Sequence, residues 1–430
     1  MMLGMAAVAA APGSVANDRV TAKGVNVTYA DLMQHRPARA NAGAAVRSAK
    51  ISVTSTGSAS VVNASAAASL GGLMPLWTFD VRARRDGQHH QGAMVGTNPF
   101  NDPGTSRIPT RIVPLILRTH AIASAIDFNT GIVTTVPGVV TIDPTHTDNT
   151  CLQAPNNVPS RLFAQSPIFR SASFTFGGTY VGTTQYIDAF QRANFYNVLG
   201  SNLNDYHVLL NPVRTEEDGV FIDVPANEGL AFTDPLFFGP PAFCPPVQII
   251  DINWLDSYIN GTLLPRLAEE GVGPSSLPII LIYNTVMGAP VNDLNSCCIL
   301  GYHSFAGQPV PTQTYSVIDF DLSQFFIGPG FSDSAIAAHE VGEWANDPYA
   351  VNEVPPWGHT GQVGSCQENL EVGDPLTGTT VAPVLMPNGF TYNLQEMAFF
   401  SWFFGGPSIG VNGWYSNNGT FTTDAGPVCP

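Results

Sequence analysis

Residues 267–430 carry 15 Asp and Glu side chains and no Lys or Arg. No other stretch restricts its own folding as tightly. Any carboxylate buried there must find a histidine, a backbone amide or a bound cation, because an isolated buried charge is prohibitively costly. The rest of the chain is uneven in the opposite sense. Residues 1–120 hold 12 basic against 5 acidic residues, and residues 121–266 hold 5 against 13. Bound cations or the basic N-terminal third must supply the missing counter-charge. With a formal net charge of −16, the folded surface is a poor partner for nucleic acid.

Within the acid-only region, Ser332–Pro348 reads SDSAIAAHEVGEWANDP. The pattern predicts one amphipathic helix, capped by Ser332 or Asp333 and ended by Pro348. His339, Glu343 and Asp347 recur every four residues and so stack along one stripe. Glu340 stands about 100° round the axis from His339. A histidine and a carboxylate one turn apart can share a divalent ion, and a neighbouring carboxylate can accept a proton from water held there. A plain polar helix face is the competing reading, but a face without Lys or Arg has no ordinary ion pairs to form.

HEVGEW resembles the HExxH helix of the zincin metalloproteases, with Glu343 in place of the second histidine. HEVGEWxxDP is also similar to a group of secreted bacterial proteins. The zincin resemblance spans about a dozen residues. Carried over position by position, it implies His339 as a metal ligand, Glu340 as the general base and Glu343 as a substitute ligand. In the gluzincin branch of zincins a glutamate on a later helix completes the set. CQENLEVGDPLTG offers Glu368, Glu371 and Asp374. Glu371 is the expected third ligand, and Asp374 the expected acceptor for the second nitrogen of His339. Asp347 is an alternative ligand. His303 in GYHS and His359 in WGHT also compete for the third position. Tyr392 and His303 are the candidate transition-state stabilisers. Zinc is the first expectation for the ion, and manganese or calcium gains weight as oxygen ligands accumulate.

The expected fold class is α+β: a β-rich N-terminal region, then a zincin-like sheet with its active-site helix. Residues 1–16 form a short apolar leader, with Ser14 and Ala16 placed as at a signal-peptide cleavage site. Residues 17–72, rich in Ala, Ser, Val and Asn, read as a flexible tail or a propeptide. Residues 73–185 read as short strands, among them a hairpin turning at Asp86-Gly87. Residues 186–430 form the α+β domain. It opens with a helix over TQYIDAFQRANFYNVLG, in which Asp188 and Arg192 make an i,i+4 pair. TQTYSVIDF is the expected edge strand, open to an extended peptide, as the zincin resemblance implies.

Six cysteines suggest three disulfides and an oxidising compartment, with adjacent Cys297 and Cys298 expected to take different partners. Cys366 is placed to fix the segment carrying Glu371. No later run approaches the ~20 apolar residues of a membrane span. Two functions remain open. One is a secreted, metal-dependent peptidase acting on peptide or protein substrates, with Glu340 as base. The other is a non-catalytic secreted binding or structural protein whose acidic cluster holds calcium or another cation.

Overall fold

The computed structural model describes residues 74–152, 157–215, 218–238, 242–306, 313–323, 325, 331–358, 366–426 and 429. The expected leader, the segment 17–72 and His359 lie outside the described residues.

Helices and sheets are mixed, as an α+β chain requires, and one 11-stranded sheet organises the whole. Its spine is the strand Thr105–Ile126, 22 residues long. From one edge the strand order is Cys297–Ile299, Thr285–Gly288, Val247–Asp251, Gly229–Phe232, the spine, Leu277–Tyr283, Gln313–Phe320 and Gly301–Ala306. Three further strands, Val133–Ile142, His207–Thr215 and Val220–Asp223, also pair with the spine. The spine belongs to the expected N-terminal region, yet its neighbour Leu277–Tyr283 belongs to the expected second domain. The sheet therefore runs straight across residue 185, because parallel pairing joins strands that are distant in sequence.

Leu277–Tyr283 is buried along its whole length. Its alternate residues Ile279, Leu281 and Tyr283 enter one core, and Ile280 and Ile282 the other. That is the pattern of a central strand covered on both faces. One face packs on the helical stretch Ile252–Glu269. The opposite face receives the helices Tyr186–Asn194 and Ala335–Asn346 and the C-terminal segments.

Several local expectations change. The edge on this side is Gly301–Ala306, antiparallel to Gln313–Phe320, which lies inside the sheet between two partners. Alternation alone does not separate an edge from its neighbour when both strands are buried. The helix spans Ala335–Asn346 and all twelve of its residues are buried, so it is an interior helix rather than an amphipathic one. No side chain caps it: Asp333 accepts instead from Ser334 N, and from Asn393 N at 2.9 Å and Asn393 Nδ2 at 2.7 Å. Asp188 turns away from Arg192 and binds Thr184 Oγ1, His207 Nδ1 and Val208 N.

The cysteines fall into three pairs at disulfide distance: Cys151 with Cys244, Cys366 with Cys429, and Cys297 with Cys298. The vicinal pairing overturns the expectation of separate partners. The other four cysteines satisfy one another and leave these two only each other. Among the described residues no helix is long and apolar enough to cross a membrane.

Candidate metal centre

Small residues let three chain segments close around the buried helix Ala335–Asn346. Gly301, on the edge strand, faces Glu340: a Cβ there would stand 2.8 Å from Glu340 Cγ and 2.8 Å from Ile336 Cγ2. His303 follows two residues later on the same face of that strand. Gly373 does the same for the C-terminal segment, where an added Cβ would meet His339 Nδ1 at 2.7 Å. On the helix itself Gly342 admits Met397, whose Sδ fills the space a Cβ would take. Trp344 then fixes the helix on the sheet through Nε1, which donates to Thr314 Oγ1 at 3.0 Å.

The result is a cluster of His303, His339, Glu340, Glu343, Glu371 and Asp374, every member with 0% exposure. Each imidazole has one nitrogen committed to a carbonyl oxygen. His339 Nδ1 lies 3.0 Å from Gln395 Oε1. Gln395 Nε2 donates to Gly373 O at 2.6 Å, so its Oε1 must be the acceptor and His339 Nδ1 carries the proton. His303 Nε2 lies 3.0 Å from Asp347 O, a partner that can only accept.

The second nitrogens face carboxylates. His339 Nε2 stands 3.2 Å from Glu343 Oε2 and 3.5 Å from Asp374 Oδ1. His303 Nδ1 stands 3.7 Å from Glu340 Oε2 and 3.8 Å from Glu343 Oε2, while Glu371 Oε2 lies 3.7 Å from Nε2, the nitrogen already on Asp347 O. Apart from the 3.2 Å contact, these separations exceed the ~3.2 Å limit of ordinary N–H···O bonds. Ligands about 2.1 Å from one ion, at tetrahedral angles, stand about 3.4 Å apart. The cluster has the spacing of donors around a cation. Among the described residues, two overlapping groups have ligand atoms within 4.8 Å of one another: His339 with Glu340 and Glu343, and His303 with Glu343 and Glu371. Either buried group could hold a metal ion.

The outer contacts orient Glu343 and Asp374 as well. Glu343 Oε1 accepts from the backbone amides of Gly373 and Asp374, both at 3.1 Å, which turns Oε2 toward the histidines. Asp374 Oδ2 accepts from Gln367 Nε2 at 3.0 Å, beside the Cys366–Cys429 pair. Fixed ligand orientation of this kind is what tunes a metal site.

The structure redistributes several expected positions. Asp374 faces His339 Nε2 beside Glu343, and the acceptor on the ring's other nitrogen, Nδ1, is Gln395. Glu371 joins the group of His303 rather than that of His339. Its segment is a short strand, Gln367–Asn369, and a 3-10 turn, Asp374–Leu376, not a helix. Asp347 directs its carboxylate away from the stripe and accepts from the amides of Val351 and Asn352, closing the turn after the helix. Its carbonyl nevertheless holds His303. Tyr392 donates to Leu162 O and accepts from Asn388 Nδ2, each at 2.7 Å, so its hydroxyl serves packing between segments. Gln395 had no sequence signal; only the approach of residues 366–398 to the helix reveals it.

Comparison of the chain with protein-family models, with curated proteins and with solved structures finds no match.

Proposed function

We propose that this protein is a secreted, metal-dependent peptidase. His339 and Glu343 hold a divalent ion, Asp374 faces the same imidazole nitrogen, and Glu340 serves as the proton-accepting group. One observation carries the reading. His339 is held as the Nδ1–H tautomer, so Nε2 offers a lone pair to a space bordered by the carboxylates of Glu343 and Asp374. A lone pair facing carboxylate oxygens is repulsive unless a proton or a cation lies between them. Protonating both histidines still leaves four carboxylates against two positive charges. The donor set combines imidazole with carboxylates, which suits zinc or manganese better than all-oxygen calcium.

A bound divalent ion supplies Lewis acidity to a peptide carbonyl and to a water molecule. The chain supplies the rest. Glu340 lies next to His339 and against Gly301, where no side chain intrudes. It accepts the water's proton and returns it to the departing amine. The edge strand Gly301–Ala306 carries His303 and, among the described residues, has a strand partner on one side only; an extended peptide would align there once the buried residues Gly301–Phe305 are uncovered. Three cysteine pairs at disulfide distance accord with an extracellular setting.

A second reading, a metal clamp without catalysis, is favoured by the burial of all six groups. Glu340→Gln separates the two. It keeps size and shape but removes proton acceptance at neutral pH. In the peptidase, hydrolysis of a peptide library falls by about 10²-fold or more while metal content holds. Hydrolysis by the variant at the wild-type rate rejects Glu340 as base. Absence of hydrolysis in both proteins, with metal retained, selects the clamp.

A further inference from the structure

We infer that the centre takes two divalent ions, bridged by Glu343, rather than one. This rests on the proposed metal-dependent reading and adds a second site to it. The two histidines fall in different groups. Among the described residues no group within 4.8 Å contains both, while Glu343 belongs to each. Ligands across one ion are separated by at most about twice a bond of ~2.1 Å, so donors in separate groups define separate foci. The first focus is His339 with Glu340 and Glu343, and Asp374 faces the same imidazole nitrogen. The second is His303 with Glu343 and Glu371.

Glu343 is built to bridge. Its Oε1 is tied down by two backbone amides. Its Oε2 approaches both histidines, 3.2 Å from His339 Nε2 and 3.8 Å from His303 Nδ1. One carboxylate oxygen lying between two imidazole nitrogens is the arrangement of a shared ligand, with ions about 3.5–4 Å apart in two-metal sites generally.

Charge points the same way. Glu340, Glu343, Glu371 and Asp374 bring four negative charges into a space with no solvent exposure. With both histidines neutral, one divalent ion leaves a net −2, and two bring the cluster to neutrality. A buried cluster near neutrality is far less costly than one carrying a net −2 on these six groups. The second ion also explains His303, whose Nε2 is pinned to Asp347 O while Nδ1 turns toward the helix carboxylates.

The test is metal counting on the full chain. The protein is stripped by chelation, reconstituted with excess Mn²⁺, dialysed, and assayed for metal per chain by elemental analysis and for spin coupling by electron paramagnetic resonance. Two ions per chain with an exchange-coupled spectrum are expected. His303→Ala then retains one ion, with the spectrum of isolated Mn²⁺. One ion in the wild type overturns the second site and leaves the metal-dependent reading standing. No ion overturns both. Two ions without magnetic coupling overturn the Glu343 bridge, as does a His303→Ala protein that still binds two. If His303→Ala fails to fold, the wild-type count and spectrum decide alone.

Discussion

His339 shows how one ring is divided between structure and chemistry. Nδ1 is spent on Gln395, and Gln395 is in turn spent on Gly373 O. Gln395→Leu is therefore expected to leave the ligands in place but to free the ring. Metal affinity, measured by competition with a chromophoric chelator, falls about 10–100-fold. Unchanged affinity would show that Gln395 only fills space. A second residue prediction concerns Asp321, away from the centre. Burial pushes its carboxyl up to about 6, against the lowering bonds from Ser323. Neighbouring Asp319 is driven well above the carboxylate range by burial and then by Asp321. A raised acid binds its proton more tightly when folded, so the native state holds more protons than the unfolded chain between pH ~4 and ~6. Asp321 thus costs stability as pH rises through that window, by about 2–3 kcal/mol. Asp321→Asn is expected to flatten the slope of denaturation free energy from pH 4 to 6 by roughly that amount; an identical slope would refute it. The contrast in legibility lies at this scale. His339, Glu340 and Glu343 stand out in sequence because helical spacing alone brings them together. His303 needed strand pairing, and Gln395 needed a long-range packing contact that leaves no local pattern.

Among the elements, the interior helix and the edge strand depend on each other through Gly301. Gly301→Ala sets a methyl carbon 2.8 Å from Glu340 Cγ and 2.8 Å from Ile336 Cγ2, in a core with no slack. Overpacking of this kind costs about 1–3 kcal/mol, read as a lower urea midpoint, and moves Glu340 as well. Gly273→Ala meets nothing within 4 Å and serves as the control, expected within about 0.5 kcal/mol of wild type. Equal effects at both sites would mean that the strand yields freely. Sequence periodicity located these elements better than it ranked them. The hairpin of Leu76–Arg82 and His89–Val95 turns at Asp86-Gly87 as its composition dictates. Burial was harder to foresee. Ala335, Ala337, Ala338 and Ala345 are small enough to pack on every side, and the polar residues between them found partners inside. An apolar stripe and a polar stripe on a helix look alike in sequence whether the polar stripe meets water or a buried cluster.

At the scale of the molecule, the acid-only region is folded around its deficit of positive charge. The cluster gathers His303 from the edge strand, His339 and Glu343 from the helix, and Glu371 and Asp374 from the C-terminal segment, all without exposure. A cation there would bond three segments that buried hydrogen bonds and hydrophobic contacts otherwise hold against carboxylate repulsion. Binding to the folded state alone contributes about 4 kcal/mol when the free ion exceeds its Kd by 1,000-fold. Chelation is accordingly expected to lower the melting temperature, and readdition of Zn²⁺ or Mn²⁺ to restore it. Salt discriminates the cause. The net charge of −16 makes surface repulsion a second target for cations, but exposed charges are screened by salt while buried ones scarcely are. The gap in melting temperature between loaded and stripped protein should therefore persist in about 0.5 M NaCl, where the Debye length is only a few ångströms. A gap that closes with salt would reduce the metal to a diffuse counter-ion. A gap that persists locates its effect in the buried cluster of histidines and glutamates.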